Sequence, residues 1–146
     1  MKYFGLPYKG SKSQIGSRLI ETLPRARHFY DLFGGGGAVS HLAALSGKYD
    51  YVHYNEINPL VYDGFCRFCR GDFVNDRRWV SREEFHRLKD TDPYVAIVFS
   101  FGTNMRSYLY CRELEPWKQA LHMARVLGEP DILEEIGFEV RNPLCY

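Results

Sequence analysis

Two acidic residues and a run of glycines near the start of the chain have the types and the order of a ligand-binding turn. The run reads Asp31-Leu-Phe33-Gly-Gly35-Gly-Gly37, and Glu56 follows further along. Glycines between a strand and a helix let the backbone approach a ligand closely, and the helix that follows offers free N–H groups. A carboxylate at the end of the next strand can hold both hydroxyls of a ribose. A carboxylate at the turn itself suits a cationic amine better than a pyrophosphate.

Two better known glycine motifs do not fit the chain, which narrows the choice of ligand. A dinucleotide-binding G-x-G-x-x-G would need its third glycine at Val39 or Ser40. A phosphate-binding loop has its glycine spacing at residues 5–10, but Ser11 stands where the lysine belongs and Lys12 comes one residue late. An adenosyl group joined to an amino acid is S-adenosylmethionine, which is therefore the predicted ligand. The alternative is a glycine-rich turn without a ligand, followed by an incidental acidic residue.

An alternation of helices and strands must position these residues. Apolar spacing, a capping box beginning at Ser81, and stops at proline and glycine define the elements. Helix, strand, helix, strand, helix implies an α/β fold with parallel strands and right-handed crossovers. The pattern predicts helices over residues 11–23, 38–45, 59–70, 82–89, 116–127 and 131–136, strands over 28–33, 51–54 and 94–101, and a short extended piece at 138–140.

The composition is that of one ordinary globular domain, so it sets limits without identifying a partner. A net charge of +1 on 146 residues neither proposes nor excludes nucleic acid. No apolar run approaches the roughly 18 residues of a membrane span, and no signal peptide opens the chain. We therefore expect a cytoplasmic protein without a membrane partner.

The four cysteines, Cys66, Cys69, Cys111 and Cys145, are expected to be thiols. Cys66 and Cys69 form a lone C-x-x-C late in a predicted helix, without the second pair that a structural zinc site usually shows. Helix packing is the preferred interpretation of this pair, and a metal or redox role is the alternative.

Three segments in the first 60 residues together resemble the Dam-type DNA adenine-N6 methyltransferases, including their phage and prophage relatives. They are Phe4-Gly-Leu-Pro-Tyr-Lys-Gly-Ser-Lys12, the glycine run from Asp31, and Asn55-Glu-Ile-Asn-Pro59. The resemblance implies part of a Rossmann-like S-adenosylmethionine-dependent methyltransferase fold and double-stranded DNA as the partner. Lys9 and Ser11 stand where the family usually has small residues. The implied cofactor-binding residues are Tyr8, Lys12, Asp31, Phe33, Gly35, Gly37 and Glu56.

Within this resemblance, Tyr8 and Lys12 match the family's cofactor-contacting aromatic and lysine. Asp31 would face the methionine end of the cofactor. Glu56 replaces a more common aspartate.

A weaker resemblance extends to the segment from Ser100 to Tyr110. In prophage relatives a similar segment lies near DNA and the target-recognition insertion. Asn104 and Arg106 suit phosphates and base edges, and Tyr108 suits stacking on a base. The alternative is a polar loop whose tyrosines pack within the protein. The expected division is a cofactor-binding part over residues 1–75 and the start of a target-recognition region over 76–146.

The catalytic tetrapeptide of the family, Asp or Asn followed by Pro-Pro-aromatic, is missing from the sequence. In the relatives it comes later than the point where this chain stops. Asp92-Pro93-Tyr94 lacks one proline and is interpreted as a turn into the strand at 94–101. We therefore assign no catalytic residue and expect an inactive amino-terminal fragment, whose uncovered sheet edge would favour a homodimer.

Two other functions are compatible with parts of the sequence. A non-catalytic DNA-binding or regulatory remnant of a methyltransferase would bind DNA in a salt-dependent manner without binding the cofactor. A methyltransferase acting on RNA or on a small molecule is a further alternative. The placement of the Tyr8 to Lys12 motif at the amino terminus argues against it.

Overall fold

Two parallel strands joined by a helical crossover organise the first half of the chain. The computed structural model describes residues 4–137. Strand β1 (Ala26–Asp31) pairs in parallel with β2 (Tyr49–Tyr54), and helix α2 (Ala38–Leu45) connects them. Asp31 lies opposite Tyr54 at the end of the ladder, so the chain leaves both strands at the same edge of the sheet. The predicted α/β arrangement is confirmed, and each strand begins two residues earlier than predicted.

The described residues contain six further α-helices, several of which begin and end at the predicted signals. Helix α3 begins at the predicted Pro59, where the Asn58 side chain accepts a hydrogen bond from the Leu60 N–H, and ends before Gly71. A π-helical turn over Met123–Leu127 continues the helix that begins at Glu115 to the predicted stop at Gly128. The predicted extended piece at 138–140 lies outside the described residues. The helices are α1 (Gly16–Thr22), α3 (Pro59–Arg70), α4 (Arg82–Leu88), α5 (Pro93–Val98), α6 (Glu115–His122) and α7 (Asp131–Glu135).

The predicted strand at 94–101 is wrong, because its first part is helix α5. Oδ1 of Asp92 accepts hydrogen bonds from the N–H groups of Tyr94 and Val95, at 2.9 and 3.3 Å. Pro93 occupies the first helical position, where its missing N–H has no cost. Asp92-Pro93-Tyr94 is therefore the start of a helix and not a turn into a strand. In the described part of the chain the sheet keeps two strands.

Three clusters of buried side chains hold these elements together. One cluster contains Phe85, which is fully buried, and belongs to the second half of the chain. Another, formed by Leu6, Phe65 and Ile97, joins the amino-terminal segment to α3 and α5. The third packs α1 and α2 on the sheet. The second cluster lies against the glycine turn, because Phe65 packs on Gly37 and the Leu6 N–H donates a hydrogen bond to the Gly36 carbonyl.

The capping box of α4 gives a direct test of the fold. The Ser81 hydroxyl accepts a hydrogen bond from the Glu84 N–H at 3.2 Å, and the Glu84 carboxylate accepts one from the Ser81 N–H at 3.0 Å. Ser81→Ala should lower the free energy of unfolding by about 1 kcal/mol, measured by urea denaturation. Ser17→Ala, on the exposed face of α1, should leave stability almost unchanged. Equal losses in the two variants would contradict the capping assignment.

Candidate functional site

The glycine turn between β1 and α2 is shaped by close contacts on both of its sides. Gly37 has φ +75°, and an added Cβ there would overlap the ring of Phe65. The amino-terminal segment passes over the turn, where the Leu6 N–H donates a hydrogen bond to the Gly36 carbonyl at 2.7 Å. A Cβ on Gly36 would lie 2.6 Å from the Cβ of Tyr8. Glycine is therefore needed here for packing as well as for conformation.

Five of the seven predicted cofactor-binding residues line one cavity beside this turn. The cavity has a volume of about 140 Å³. Tyr8 and Lys12 come from the amino-terminal segment, and the other three come from the end of β1 and the turn. The Phe33 side chain is 93% exposed, so its ring faces remain open to a ligand. The five residues are Tyr8, Lys12, Asp31, Phe33 and Gly35.

Glu56 does not line that cavity, but it holds the turn from the adjacent strand end. One carboxylate oxygen accepts a hydrogen bond from the Gly35 N–H at 2.8 Å, and the other accepts one from the Asn58 N–H at 2.9 Å. A carboxylate oxygen can accept more than one hydrogen bond, so Glu56 keeps acceptor capacity for hydroxyls. Its position after β2 places the second acidic residue against the glycine turn, as the motif spacing predicts.

Tyr54 binds the carbonyl of Gly35, the residue whose N–H is bound by Glu56. Its hydroxyl donates a hydrogen bond to the Gly35 carbonyl at 2.6 Å. Burial, and then the negative charge of Glu56, raise the pKa of Tyr54 above its ordinary value. The hydroxyl therefore stays protonated at neutral pH and remains a donor. The sequence analysis did not identify Tyr54, although its place at the end of β2 was a usable signal.

Asp31 is fixed by a second residue that the sequence analysis missed. The Ser40 hydroxyl donates a hydrogen bond to the Asp31 carboxylate at 2.7 Å, and Ser40 is buried in the first turn of α2. A buried serine in the first turn after a glycine run is the signal that could have indicated it. This bond holds the carboxylate at the cavity and leaves its second oxygen for a cation.

The cavity is smaller than a typical binding site for a whole cofactor. Ligand pockets usually enclose roughly 300–1,000 Å³, compared with about 140 Å³ here. A cavity of about 420 Å³ lined by residues of the amino-terminal segment shares Tyr8 and Ser11 with it. The carboxylates of Asp31 and Glu56 are hydrogen-bond acceptors, which is the chemistry that an amine and hydroxyl groups would need.

The segment after α5 lies beside the start of α3. Asn104 and Arg106 are exposed and line a cavity of about 470 Å³ together with Asn58 and Pro59. The Asn104 side chain accepts hydrogen bonds from the N–H groups of Arg106 and Ser107, at 2.8 and 2.9 Å, which orders the loop. The loop therefore presents Arg106 near the residues that follow Glu56.

Tyr108 is placed differently from its two predicted partners. Its side chain is 6% exposed and packs in the Phe85 cluster, and its hydroxyl donates a hydrogen bond to the Val80 carbonyl at 2.7 Å. Burial raises its pKa above the ordinary tyrosine value. Tyr108 therefore packs within the protein, as the alternative interpretation of this segment predicted.

Cys66 and Cys69 lie in α3, the first half-buried and the second exposed, and Cys145 lies outside the described residues. Within residues 4–137, no three side chains of the metal-binding types form a group that could hold an ion. No helix in the described part of the chain is long and apolar enough to cross a membrane.

The βαβ unit, with its glycine turn and two acidic strand ends, defines an α/β protein with a cavity at the edge of its sheet, where parallel α/β sheets usually bind ligands. A family model described as D12 class N6 adenine-specific DNA methyltransferase matches residues 8–114. Because this match spans most of the 146 residues, the chain belongs to that family. The resemblance carried by the three motifs is thereby confirmed. No match was found among curated proteins or among solved structures.

Proposed function

We propose that this chain is the cofactor-binding part of a site-specific DNA adenine-N6 methyltransferase that uses S-adenosylmethionine and has a Rossmann-like fold. Residues 1–75 would bind the cofactor, and residues 76–146 would begin the target-recognition region. The observation that carries the proposal is the convergence of Tyr8, Lys12 and Asp31 on one cavity beside the glycine turn. The family match supports the reaction class and the DNA substrate.

Each residue of the site has a distinct chemical task in this proposal. Asp31, held by Ser40, would pair with the amine of the methionine end. Glu56 would accept the ribose hydroxyls while it fixes Gly35. The exposed ring of Phe33 and the ring of Tyr8 offer apolar surface, and Lys12 would attract the carboxylate of the cofactor. The backbone at Gly35 and Gly37 would let the ligand approach closely.

The cofactor would supply an electrophilic methyl group, carried on a sulfonium, for transfer to the adenine N6 nitrogen. Proximity and in-line orientation provide most of the rate in such a transfer. The described residues offer no substitute for the missing tetrapeptide. Asp92 is the N-cap of α5, where one carboxylate oxygen accepts a hydrogen bond from the Tyr94 N–H and the other accepts one from Arg78 at 2.7 Å. We therefore assign no catalytic residue and expect the chain alone to bind without transferring a methyl group.

Calorimetric titration with S-adenosylmethionine tests the proposal. The folded 146-residue chain should bind the cofactor, and S-adenosylhomocysteine should compete with it. NAD is a matched control ligand, because it shares the adenosyl group but carries a pyrophosphate where Asp31 would repel it. Failure of a demonstrably folded chain to bind, or equal binding of NAD, would contradict the cofactor assignment.

Arg106→Ala tests the proposed DNA contact. Loss of one phosphate contact should weaken binding to duplex DNA and lower the slope of log affinity against log salt by about 1. Fluorescence anisotropy at several salt concentrations measures both quantities. Arg18→Ala removes a charge of the same type from an exposed position on α1 and should change neither. The proposed DNA contacts are Asn104 and Arg106, and they exclude the buried Tyr108.

A non-catalytic DNA-binding or regulatory remnant is the second candidate function. The small volume of the cavity, about 140 Å³, and the missing tetrapeptide favour it. It predicts salt-dependent DNA binding without cofactor binding, so the titration above separates the two candidates.

A homodimer through the uncovered sheet edge and the apolar surface beside it is a further part of the proposal. In the described part of the chain, β1 has β2 as its one neighbour. Tyr30 and Tyr51 on these strands are 61% and 51% exposed. Parallel sheets are normally covered on both faces, so a second copy would bury this surface. A light-scattering mass equal to one chain at high concentration would count against the dimer.

A further inference from the structure

A groove in the second half of the chain has a wall of aromatic side chains. It has a volume of about 320 Å³ and is lined by α5, the segment at residues 109–110 and α6 with its π-helical continuation. The Trp79 ring stacks on Tyr110 with 5.7 Å between centroids and 6° between planes, and meets Phe99 edge-on at 5.9 Å. Tyr94 also lines the groove. The rings pack against one another and form a continuous aromatic wall.

Basic side chains of α6 and its continuation line the same groove, and the His122 ring lies 5.5 Å from that of Trp79 between centroids. Lys118, His122 and Arg125 all line it, and their spacing of four and then three residues places them on one side of the helix. His122 is held by a hydrogen bond to the Arg77 carbonyl at 2.8 Å. Within residues 4–137, neither Lys118 nor Arg125 has an ion-pair partner, and no carboxylate lines the groove. Two exposed cations therefore face an aromatic wall without compensation.

Aromatic rings beside unpaired cations are the chemistry of single-stranded nucleic-acid binding, in which bases stack and phosphates pair with positive charge. The volume suits one nucleotide unit rather than a longer segment. We propose that this groove, named here the aromatic groove, holds one unstacked nucleotide of a DNA strand. Its base lies against Trp79 and Tyr110, and the adjoining phosphates lie at Lys118 and Arg125.

The aromatic groove adds a DNA contact beyond the family match. That match ends at residue 114, before α6 begins at Glu115. The residues that supply the cations therefore lie outside the part of the chain that the family model covers. The inference rests on DNA being the substrate, as proposed above, and assigns an unstacked nucleotide to a particular surface.

Fluorescence of Trp79 tests whether a base enters the groove. The chain has two tryptophans, so Trp117→Phe leaves Trp79 as the only reporter. A short thymidine oligonucleotide should quench and shift its emission, and an abasic oligonucleotide of equal length should not. The same pair of ligands is also compared on the unsubstituted chain, in case the variant fails to fold. Equal responses to the two oligonucleotides would overturn the stacking proposal.

Removal of the cations tests the phosphate side. The double variant Lys118→Ala/Arg125→Ala should bind the thymidine oligonucleotide at least tenfold more weakly, with the salt slope reduced by about 1.4 for two lost phosphate contacts. The matched control Arg18→Ala/Arg25→Ala loses the same charge from exposed positions near α1. Circular dichroism verifies folding of both variants. An equal loss of oligonucleotide affinity in the control would show that the effect comes from net charge alone. That result would overturn the proposed role of the groove.

Two further comparisons separate this inference from the proposed function. Unchanged oligonucleotide binding in the groove variant, with weaker duplex binding in Arg106→Ala, would overturn the aromatic groove and leave the proposed DNA substrate intact. Equal competition by polyglutamate would assign the groove to acidic peptides and overturn the nucleic-acid assignment. Cofactor titration is independent of both results, because no residue of the groove lines the cofactor cavity.

Discussion

Gly37→Ala should lower the free energy of unfolding by about 3–5 kcal/mol, a large fraction of the stability of a domain of this size. Gly37 is the N-cap residue that precedes α2 and has a left-handed conformation, with φ +75°. That conformation costs a residue with a Cβ about 1–2 kcal/mol. The new methyl group would also overlap the ring of Phe65, which is 5% exposed in the core. Displacing a buried phenylalanine or shifting the backbone adds a comparable or larger cost.

A matched control isolates the packing part of that prediction. Gly47→Ala has a similar conformation, φ +64°, but its added Cβ would have no atom within 4 Å. It should therefore lose only the conformational cost of about 1–2 kcal/mol. Urea denaturation followed by circular dichroism gives both values under the same conditions. Similar losses at the two positions would mean that Phe65 moves aside easily and that the turn is not constrained by packing.

The same contact connects stability with function. Phe65 belongs to α3, so the helix that follows Glu56 presses on the turn that Glu56 also binds. A shift of Phe65 would displace the turn and its cavity. Cofactor binding should consequently weaken in any Gly37 variant that still folds.

Local signals explain which elements the sequence predicts well. Helix α3 has Asn58 before Pro59 at its start and Gly71 at its end, and both of its bounds were predicted. The capping box at Ser81 was also visible in the sequence and is present in full. In each case the residues that set the boundary hydrogen-bond within their own turn, so neighbouring positions carry the information.

Helix α5 shows where the same reasoning fails. Its apolar run is rich in Val and Ile, and a short buried helix cannot be told from a buried strand by periodicity alone. Asp92 followed by Pro93 was an available helix-start signal. The prediction gave more weight to the apolar run than to this helix-start signal. Burial of Val95, Ala96 and Ile97 comes from contacts with α3 and α4, which no local pattern reports.

The residues of the candidate site also differ in how well the sequence predicts them. Residues with unusual chemistry, such as Asp31 and Glu56, were visible in the sequence because type and order suffice to indicate them. Ser40 and Tyr54 were not, since each acts by a hydrogen bond to another element. Tyr108 is the opposite case. Its neighbours suggest an exposed loop, but its contacts are with the core.

Glu56→Ala should weaken S-adenosylmethionine binding at least tenfold, and more if both functions of the carboxylate matter. The variant removes the acceptor proposed for the ribose hydroxyls. It also frees the Gly35 N–H and the Asn58 N–H, whose hydrogen bonds to Glu56 are 2.8 and 2.9 Å long. Calorimetric titration measures the loss, and urea denaturation shows how much of it comes from reduced stability. Glu56→Gln keeps one acceptor oxygen and should show an intermediate affinity.

Tyr54→Phe separates positioning of the turn from contact with the ligand. It removes the 2.6 Å hydrogen bond to the Gly35 carbonyl and leaves the Glu56 carboxylate intact. If Glu56 contacts the ribose, Tyr54→Phe should weaken binding much less than Glu56→Ala. A 2′-deoxy analogue of S-adenosylhomocysteine should then lose little further affinity in Glu56→Ala, because the two changes remove the same interaction. Two results would contradict a direct contact between Glu56 and the ribose. Tyr54→Phe and Glu56→Ala would lose equal affinity for S-adenosylmethionine, and the 2′-deoxy analogue would lose as much affinity in Glu56→Ala as in the unsubstituted chain. Glu56 would then be a positioning residue for the glycine turn.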